Sequence, residues 1–259
     1  MTSFTGKVAL ITGATCGIGE TTARRLASAG CLLAMTGKDQ DELMELARQC
    51  QRLGASEHQI LLLAGDLTED QNVEEVVTRT VEKFGRLDIL VYNLSWSSML
   101  GADKAPSLMF DKAIKLNVRS VFYLTKLSAP HLTATKGCIV TNYNVPSFIS
   151  STNKMVYSMI KLALDQFTRS TAVDLAPQGV RVNAVNPGAV TDSATSLNGH
   201  SPSKMKHGSK EEHPLGKHSK DKEVAAAIVF LASHDAAMIT GELLTIDSGR
   251  HVQPRAPKY

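Results

Sequence analysis

Short apolar runs alternate with longer stretches of helical periodicity throughout the 259-residue chain. The runs at 7–12, 31–36, 59–64, 87–92, 137–142, 180–185 and 243–246 predict strands. Each is short, mostly apolar and bounded by glycine or polar residues, the pattern of a strand buried on both faces. Helical spacing of the apolar positions predicts helices over 18–29, 40–53, 69–84, 107–131, 155–175 and 221–233. Alternation this regular implies right-handed crossovers, and hence an α/β fold whose parallel sheet is covered by helices on both faces. No internal repeat and no low-complexity linker interrupts it. The one change of composition is 192–222, rich in Ser, Lys, His and Gly, which reads as a mobile excursion rather than a boundary. The expected organisation is one domain over 1–259 with a polar excursion at about 191–220.

Composition narrows the function classes. A hydrophobic fraction of 43% with 20% charged residues fits an ordinary soluble globule. A net charge of +3 is too small to argue for nucleic acid, and no basic stretch is interleaved with aromatic residues. Cys16, Cys31, Cys50 and Cys138 show neither Cys-x-x-Cys nor a zinc spacing. They read as reduced thiols in a cytosolic-type compartment, with no metal site. The first residues lack the basic and apolar regions of a signal peptide, and no apolar run is long enough to span a bilayer. The last residues match neither a peroxisomal nor a lipidation address. A cytoplasmic protein with no nucleic-acid or membrane partner is expected.

Candidate chemistry sits in two places. The first predicted strand runs into Thr12-Gly13-Ala14-Thr15-Cys16-Gly17-Ile18-Gly19. Glycines permit a tight turn and close backbone approach, and the helix N-terminus that follows offers free N–H groups to a pyrophosphate. A glycine-rich turn arising by chance is the competing reading. The second predicted strand ends at Thr36-Gly37-Lys38. NAD-binding folds tend to place a carboxylate there for the ribose hydroxyls, where it would repel a 2′-phosphate. Lys38 instead suits NADP, unless it is a solvated loop lysine. Cys16 reads either as a thiol activated by the helix start or as a small side chain tolerated beside the pyrophosphate.

The second place is 144–161. Tyr157 and Lys161 are four apart, and Val156, Ile160, Ala163, Leu164 and Phe167 recur at helical spacing, so both polar groups should share a helix face. A free tyrosine titrates near pKa ~10. An ammonium one turn away favours the phenolate and makes the phenol a workable acid and base near neutral pH. Alone the pair is a weak signal, since many surface helices carry it by accident.

Together these residues resemble the short-chain dehydrogenase/reductase family over nearly the whole chain. The likeness rests on the turn at 12–19; Gly65-Asp66-Leu67 after the third strand; Asn117 in Leu-Asn-Val; Tyr157-x-x-x-Lys161; Asn186-Pro187-Gly188; Pro214-Leu215-Gly216; and Ile239-Thr240-Gly241-Glu242. It implies a doubly wound, Rossmann-type sheet of seven parallel strands. It also implies hydride transfer between a nicotinamide, NADP(H) rather than NAD(H), and a small carbonyl or alcohol substrate. On that likeness Gly13, Thr15, Cys16, Gly17, Ile18 and Gly19 line the cofactor, and Thr15 and Lys38 meet the 2′-phosphate. Asp66 and the Leu67 amide hold the adenine, and Asn93 lines the adenosine side. Pro187, Gly188 and Val190 flank the nicotinamide. Tyr157 moves the oxygen's proton, Lys161 binds the nicotinamide ribose, and Asn117 fixes a helix kink and a water relay. The helices at 107–131 and 155–175 and the strand near 239–246 imply a homodimer or homotetramer.

The departures from the family pattern bear on activity. Tyr92-Asn93-Leu94-Ser95 stands where the family reads Asn-Asn-Ala-Gly, Cys16 replaces a frequent cation, and Asp192 replaces a threonine, with Thr191 one place early. Asn144 holds the place of the active-site serine, thirteen residues before Tyr157. Losing a donor of that kind typically costs ~10²–10³ in rate, yet an asparagine amide still offers N–H groups. Ser147, Ser150 and Ser151 lie close enough in sequence to supply a displaced hydroxyl. Two readings follow. One is a carbonyl reductase using Asn117, Asn144, Tyr157 and Lys161; the other is a weak or inactive relative that binds NADP(H) as a ligand or serves as an oligomeric scaffold. Trp96 and Met99 either wall the pocket or are ordinary core. His200, Lys204, Lys206, His207, Lys210, His213, Lys217 and His218 read as a solvated substrate lid, offset by Glu211, Glu212 and Asp221.

Overall fold

Seven strands form one all-parallel sheet in the order β3-β2-β1-β4-β5-β6-β7, as the apolar pattern and the family likeness predict. The structure is a computed structural model that describes residues 3–93, 106–143, 155–188, 190 and 213–253. The strands are β1 (Val8–Ile11), β2 (Leu32–Gly37), β3 (Ile60–Ala64), β4 (Ile89–Tyr92), β5 (Cys138–Asn142), β6 (Arg181–Pro187) and β7 (Leu243–Ile246). The helices are α1 (Gly17–Ser28), α2 (Gln40–Arg52), α3 (Asp70–Phe84), α4 (Ser107–Ile114), α5 (Ser120–Thr135), α6 (Met155–Leu175) and α7 (Asp221–Ala232).

Every residue of β1 is buried because alternate side chains feed two separate cores. Ala9 and Ile11 join Leu26 of α1, Leu46 of α2 and Ile228 of α7 on one face. Val8 and Leu10 join Val76 of α3, Leu124 of α5 and Ile160 of α6 on the other. A strand sandwiched this way has no polar side to show, which is why the sequence reads as unbroken apolar runs.

One expected helix is two. The periodicity over 107–131 predicts a continuous helix, but a π-helical turn at Lys115–Arg119 separates α4 from α5, and α5 continues past Pro130 to Thr135. The wider turn buries Asn117, whose Nδ2 donates to the Ala113 carbonyl at 2.9 Å. Such turns interrupt helices at functional sites, and the apolar stripe runs through this one unbroken, so periodicity gives no sign of it.

At the amino-terminal end of the sheet a buried carboxylate ties the strands together. Asp88 accepts from Lys7 Nζ at 3.0 Å, from Arg86 Nε at 2.8 Å and Nη2 at 2.6 Å, and from the Val8 amide at 3.0 Å. Partial burial pushes its pKa up, but the Arg86, Val8 and Lys7 contacts outweigh it and hold the carboxyl below its ordinary value.

Candidate active site

The sheet order reverses direction between β1 and β4, and the carboxyl ends of the strands around that point form the crevice where doubly wound sheets hold ligands. The glycine turn lies there. Gly13 has φ 55°, and the Ala14 amide bonds the Thr36 carbonyl at 3.0 Å, which pins the turn to β2. Asn93, just past β4, donates its amide N–H to Thr12 Oγ1 at 3.1 Å and its side-chain Nδ2 to the Gly13 carbonyl at 3.0 Å. Asn142, the last residue of β5, donates in turn to the Asn93 side-chain oxygen. A Cβ at Gly19 would overlap both the Gly13 oxygen and the Asn93 amide nitrogen. Only glycine lets α1 begin this close to the turn.

α1 begins without a side-chain cap, since Cys16 at its start supplies none. The Gly19 and Glu20 amides bond back to the Cys16 carbonyl, and a helix start without a side-chain cap is a natural partner for an anion such as a dinucleotide pyrophosphate. The activated-thiol reading of Cys16 gains no support. Burial pushes this thiol's pKa up and Glu42 adds to it, against a weaker opposing bond from Thr15. Cys16, Cys31, Cys50 and Cys138 are all free thiols.

The ends of β2 and β3 meet through a contact the sequence did not announce. Lys38 Nζ lies 2.8 Å from Asp66 Oδ2, so Lys38 is an ion-paired rather than a merely solvated lysine. Asp66 Oδ1 accepts from the Thr68 amide at 3.0 Å, and Leu67 is buried beside it. Burial raises the Asp66 pKa, but the Lys38 and Thr68 bonds together prevail and hold it below the ordinary value. Thr15 packs within 3.2 Å of where a Cβ on Gly37 would stand. Asp39, the nearest carboxylate beyond β2, accepts from the Asp41 and Glu42 amides at 2.8 and 3.1 Å and so caps α2.

On α6, Tyr157 and Lys161 do share one face, and both are buried. Val156, Ile160 and Leu164 anchor the helix as predicted, while Ala163 is exposed: it falls on the opposite side of the stripe. Lys161 Nζ stands 5.3 Å from the centre of the Tyr157 ring and 5.5 Å from that of Tyr143. Burial pushes the Lys161 pKa down to about 7, with the Asp165 carboxylate pulling it back up. Tyr143 is likewise buried, and its pKa is pushed up. Its hydroxyl lies 3.3 Å from Thr168 Oγ1. Asp165 accepts from Asn186 Nδ2 at 3.3 Å. Tyr143, Asp165 and Asn142 join the candidate site by contact rather than by any sequence motif. Asp165 was detectable as the next position, four along, on the Tyr157–Lys161 face.

At the end of β6, Pro187 leads into Gly188, whose amide bonds the Ile246 carbonyl at 2.8 Å and where a Cβ would stand 2.7 Å from the Asp247 Cβ. Val190 bridges to Ser219. The solvated-lid reading fails for His213, which is buried with its ring edge-on to His218, centroids 4.4 Å apart. Asn144, Trp96, Met99, Ser147, Ser150, Ser151, Thr191, Asp192 and the excursion through 191–212 lie outside the described residues. Among the described residues no helix is long and apolar enough to cross a membrane.

Comparison with known proteins agrees with this fold. A family model described as enoyl-(acyl carrier protein) reductase matches residues 13–251. Glucose 1-dehydrogenase of Gluconobacter oxydans is 31% identical, over 95% of this chain and 92% of its own. The chain belongs to the short-chain dehydrogenase/reductase family of oxidoreductases that act on alcohols and carbonyls. Among solved structures, glucose dehydrogenase of Caenorhabditis elegans in its apo form superposes with a TM-score of 0.83 at 36% identity, covering 96% of this chain and 99% of that one. A short-chain dehydrogenase of Burkholderia cenocepacia in complex with NADP gives 0.85 at 28%, over 96% and 99%. An NAD+-bound xylitol dehydrogenase gives 0.84 at 25%, over 95% and 99%. Relatives thus bind either nucleotide.

Proposed function

We propose that this oxidoreductase uses NADP(H) to reduce a small ketone or aldehyde, or to oxidise the corresponding alcohol, with Tyr157 as the general acid and base. The observation that carries the reading is the burial of Tyr157 and Lys161 side by side on α6, with Lys161 Nζ also 5.5 Å from the ring of Tyr143, the residue after β5. A buried lysine is costly and is retained where its charge has work to do.

In this reading the glycine turn and the open start of α1 take the pyrophosphate. Thr15 and Lys38 take the 2′-phosphate, Asp66, Leu67 and Asn93 the adenosine, and Pro187, Gly188 and Val190 the nicotinamide side. When bound, the nicotinamide supplies or accepts hydride. Tyr157 holds the substrate oxygen and moves the proton at its own hydroxyl, Lys161 favours the phenolate, and Asn117 and Asn144 position the reacting end. The preference for NADP is supported by charge. Lys38 is a cation at the end of β2, and Asp39 is already committed to capping α2 rather than free for ribose hydroxyls. The reading extends to one cytoplasmic domain, assembled as a homodimer or homotetramer through exposed Phe122, Met159 and Leu162.

The test is direct. Purified protein is offered NADP+ and NAD+ with D-glucose and xylitol, and reduced nicotinamide is followed by absorbance. Turnover with NADP+ preferred is expected. Failure to bind either nucleotide, checked by calorimetry, overturns the reading. Asn144→Ser measures what the asparagine costs: a large gain in rate marks the serine position as limiting.

A further inference from the structure

The charged face of α6 does not end at the lysine. Tyr157, Lys161 and Asp165 follow one another at four-residue intervals, and all three are buried, Lys161 at 2% exposure and Asp165 at 5%. Two opposite charges so deeply placed are tolerated only when each compensates the other and their remaining hydrogen-bonding capacity is met. The tyrosine rings on either side of Lys161 Nζ attract a cation but bring no net charge to balance it.

We propose that Asp165 is a positioning residue of the active site, the buried counter-charge that keeps the Lys161 side chain ionised between the Tyr143 and Tyr157 rings. The inference rests on the reading of Tyr157 and Lys161 as the proton-transfer pair. It assigns to Asp165 no contact with substrate or cofactor.

The surroundings fix the carboxylate from behind. Asn186 on β6 donates to Asp165 Oδ1 at 3.3 Å. Tyr143, next to the end of β5, is held by Thr168, whose hydroxyl is 3.2 Å from Thr141 Oγ1; Thr141 in turn donates to the Asn183 carbonyl at 3.2 Å. Among the described residues, the titratable groups facing this cluster are Tyr157, Lys161 and Asp165 from α6 and Tyr143 from beyond β5. The groups named from β6, Asn183 and Asn186, do not titrate. Burial keeps the Tyr143 phenol neutral, so Asp165 is the one carboxyl group of the set. Without it, desolvation of the lysine is no longer opposed by that carboxylate, and a lysine that has lost its charge no longer favours a phenolate next to it.

Placement along the helix explains why the carboxylate does not cancel the lysine's effect. Lys161 is one turn from Tyr157, about 6 Å along the axis, and Asp165 is two turns away, about 12 Å. The positive charge therefore dominates at the phenol.

Carbon-13 labelling of the lysine Cε positions allows Lys161 to be titrated by NMR in the full-length protein, with Lys161→Met identifying its signal. In Asp165→Asn, which keeps shape and removes charge, the Lys161 midpoint is expected to fall by at least one unit, about a tenfold loss of proton affinity. Asp165→Ser, which also removes the charge, is measured in the same way and should lower the Lys161 midpoint by a similar amount. That second measurement decides the matter if Asp165→Asn does not fold. An unchanged midpoint in either folded variant overturns the proposal. No turnover enters this readout, so a shifted midpoint in a protein that converts nothing places the fault with the oxidoreductase reading and not with the pairing. In an active protein, the acid limb of alcohol oxidation should move to higher pH in Asp165→Asn, and Asp165→Glu should restore it in part.

Discussion

Lys38 and Asp66 meet at 2.8 Å and join the ends of β2 and β3 across the face expected to receive the adenosine. Two residues that the family likeness assigns to different parts of the nucleotide hold one another. The pair is largely exposed, so its own contribution to stability is small. In the proposed reading it holds a cation at the end of β2.

Removing that cation separates the two nucleotides. Lys38→Ala is expected to weaken NADPH binding by about tenfold, the loss of one charge-assisted contact, and to leave NADH nearly unaffected. Titration of the reduced cofactors by fluorescence measures both. Equal weakening of the two would show that Lys38 serves the loop and not the phosphate.

Tyr157→Phe retains the ring beside Lys161 and deletes the hydroxyl. The rate is expected to fall ~10²–10⁴-fold, the usual worth of a positioned acid–base group, with cofactor affinity unchanged. Single-turnover hydride transfer at full cofactor saturation is the measurement. A loss confined to KM would remove Tyr157 from the chemistry.

Gly19→Ala places a methyl group against the Gly13 carbonyl and the Asn93 amide. Overpacking of this kind typically costs ~1–3 kcal/mol, and here it also pushes α1 off the turn. Denaturant unfolding should show the loss, and calorimetry should show that neither nucleotide binds.

Asp88 carries the acid sensitivity of the other end of the sheet. Its folded carboxyl pKa is depressed, so its contribution is full above the unfolded carboxylate value and is lost as pH falls through the folded one. Asp88→Asn is expected to cost about 2–3 kcal/mol at neutral pH, less than a fully buried pair because Lys7 and Arg86 are half exposed. The variant should also lose part of the wild-type decline in stability at acid pH. Denaturant midpoints across the acid range test both statements.

Lys161 gives the opposite slope. Its folded pKa is about 7, well below the ordinary 10.5 of a lysine, so between these values the unfolded chain binds the extra proton. Stability should therefore rise with pH across that window, and the rise should vanish in Lys161→Met. Thermal unfolding from neutral to alkaline pH is the check.

Much of this architecture was legible in the residues alone, because a parallel sheet covered twice must be written in short apolar runs. Tyr157 and Lys161 were legible for a similar reason: spacing of four fixes a shared helix face whatever surrounds it. The π-helical turn at Lys115–Arg119 was not, since its apolar positions continue the pattern of an ordinary helix. The Lys38–Asp66 and Asn93–Asn142 contacts were not either. Each joins residues at least 28 positions apart, and only strand order brings them together. Cys16 accords with the reading of a small side chain at the turn, its thiol pKa pushed up by burial and by Glu42.

The crevice is stitched from segments as distant in the chain as Gly13 and Gly188, each reaching it only when the whole sheet is in register. A nascent chain halted before β6 lacks the Pro187–Gly188 end of that crevice. A nucleotide seated there therefore acts as a clasp on the finished molecule alone, adding to its lifetime against proteases in proportion to supply. Cells starved of the vitamin from which nicotinamide is made should clear this protein faster than they stop making it.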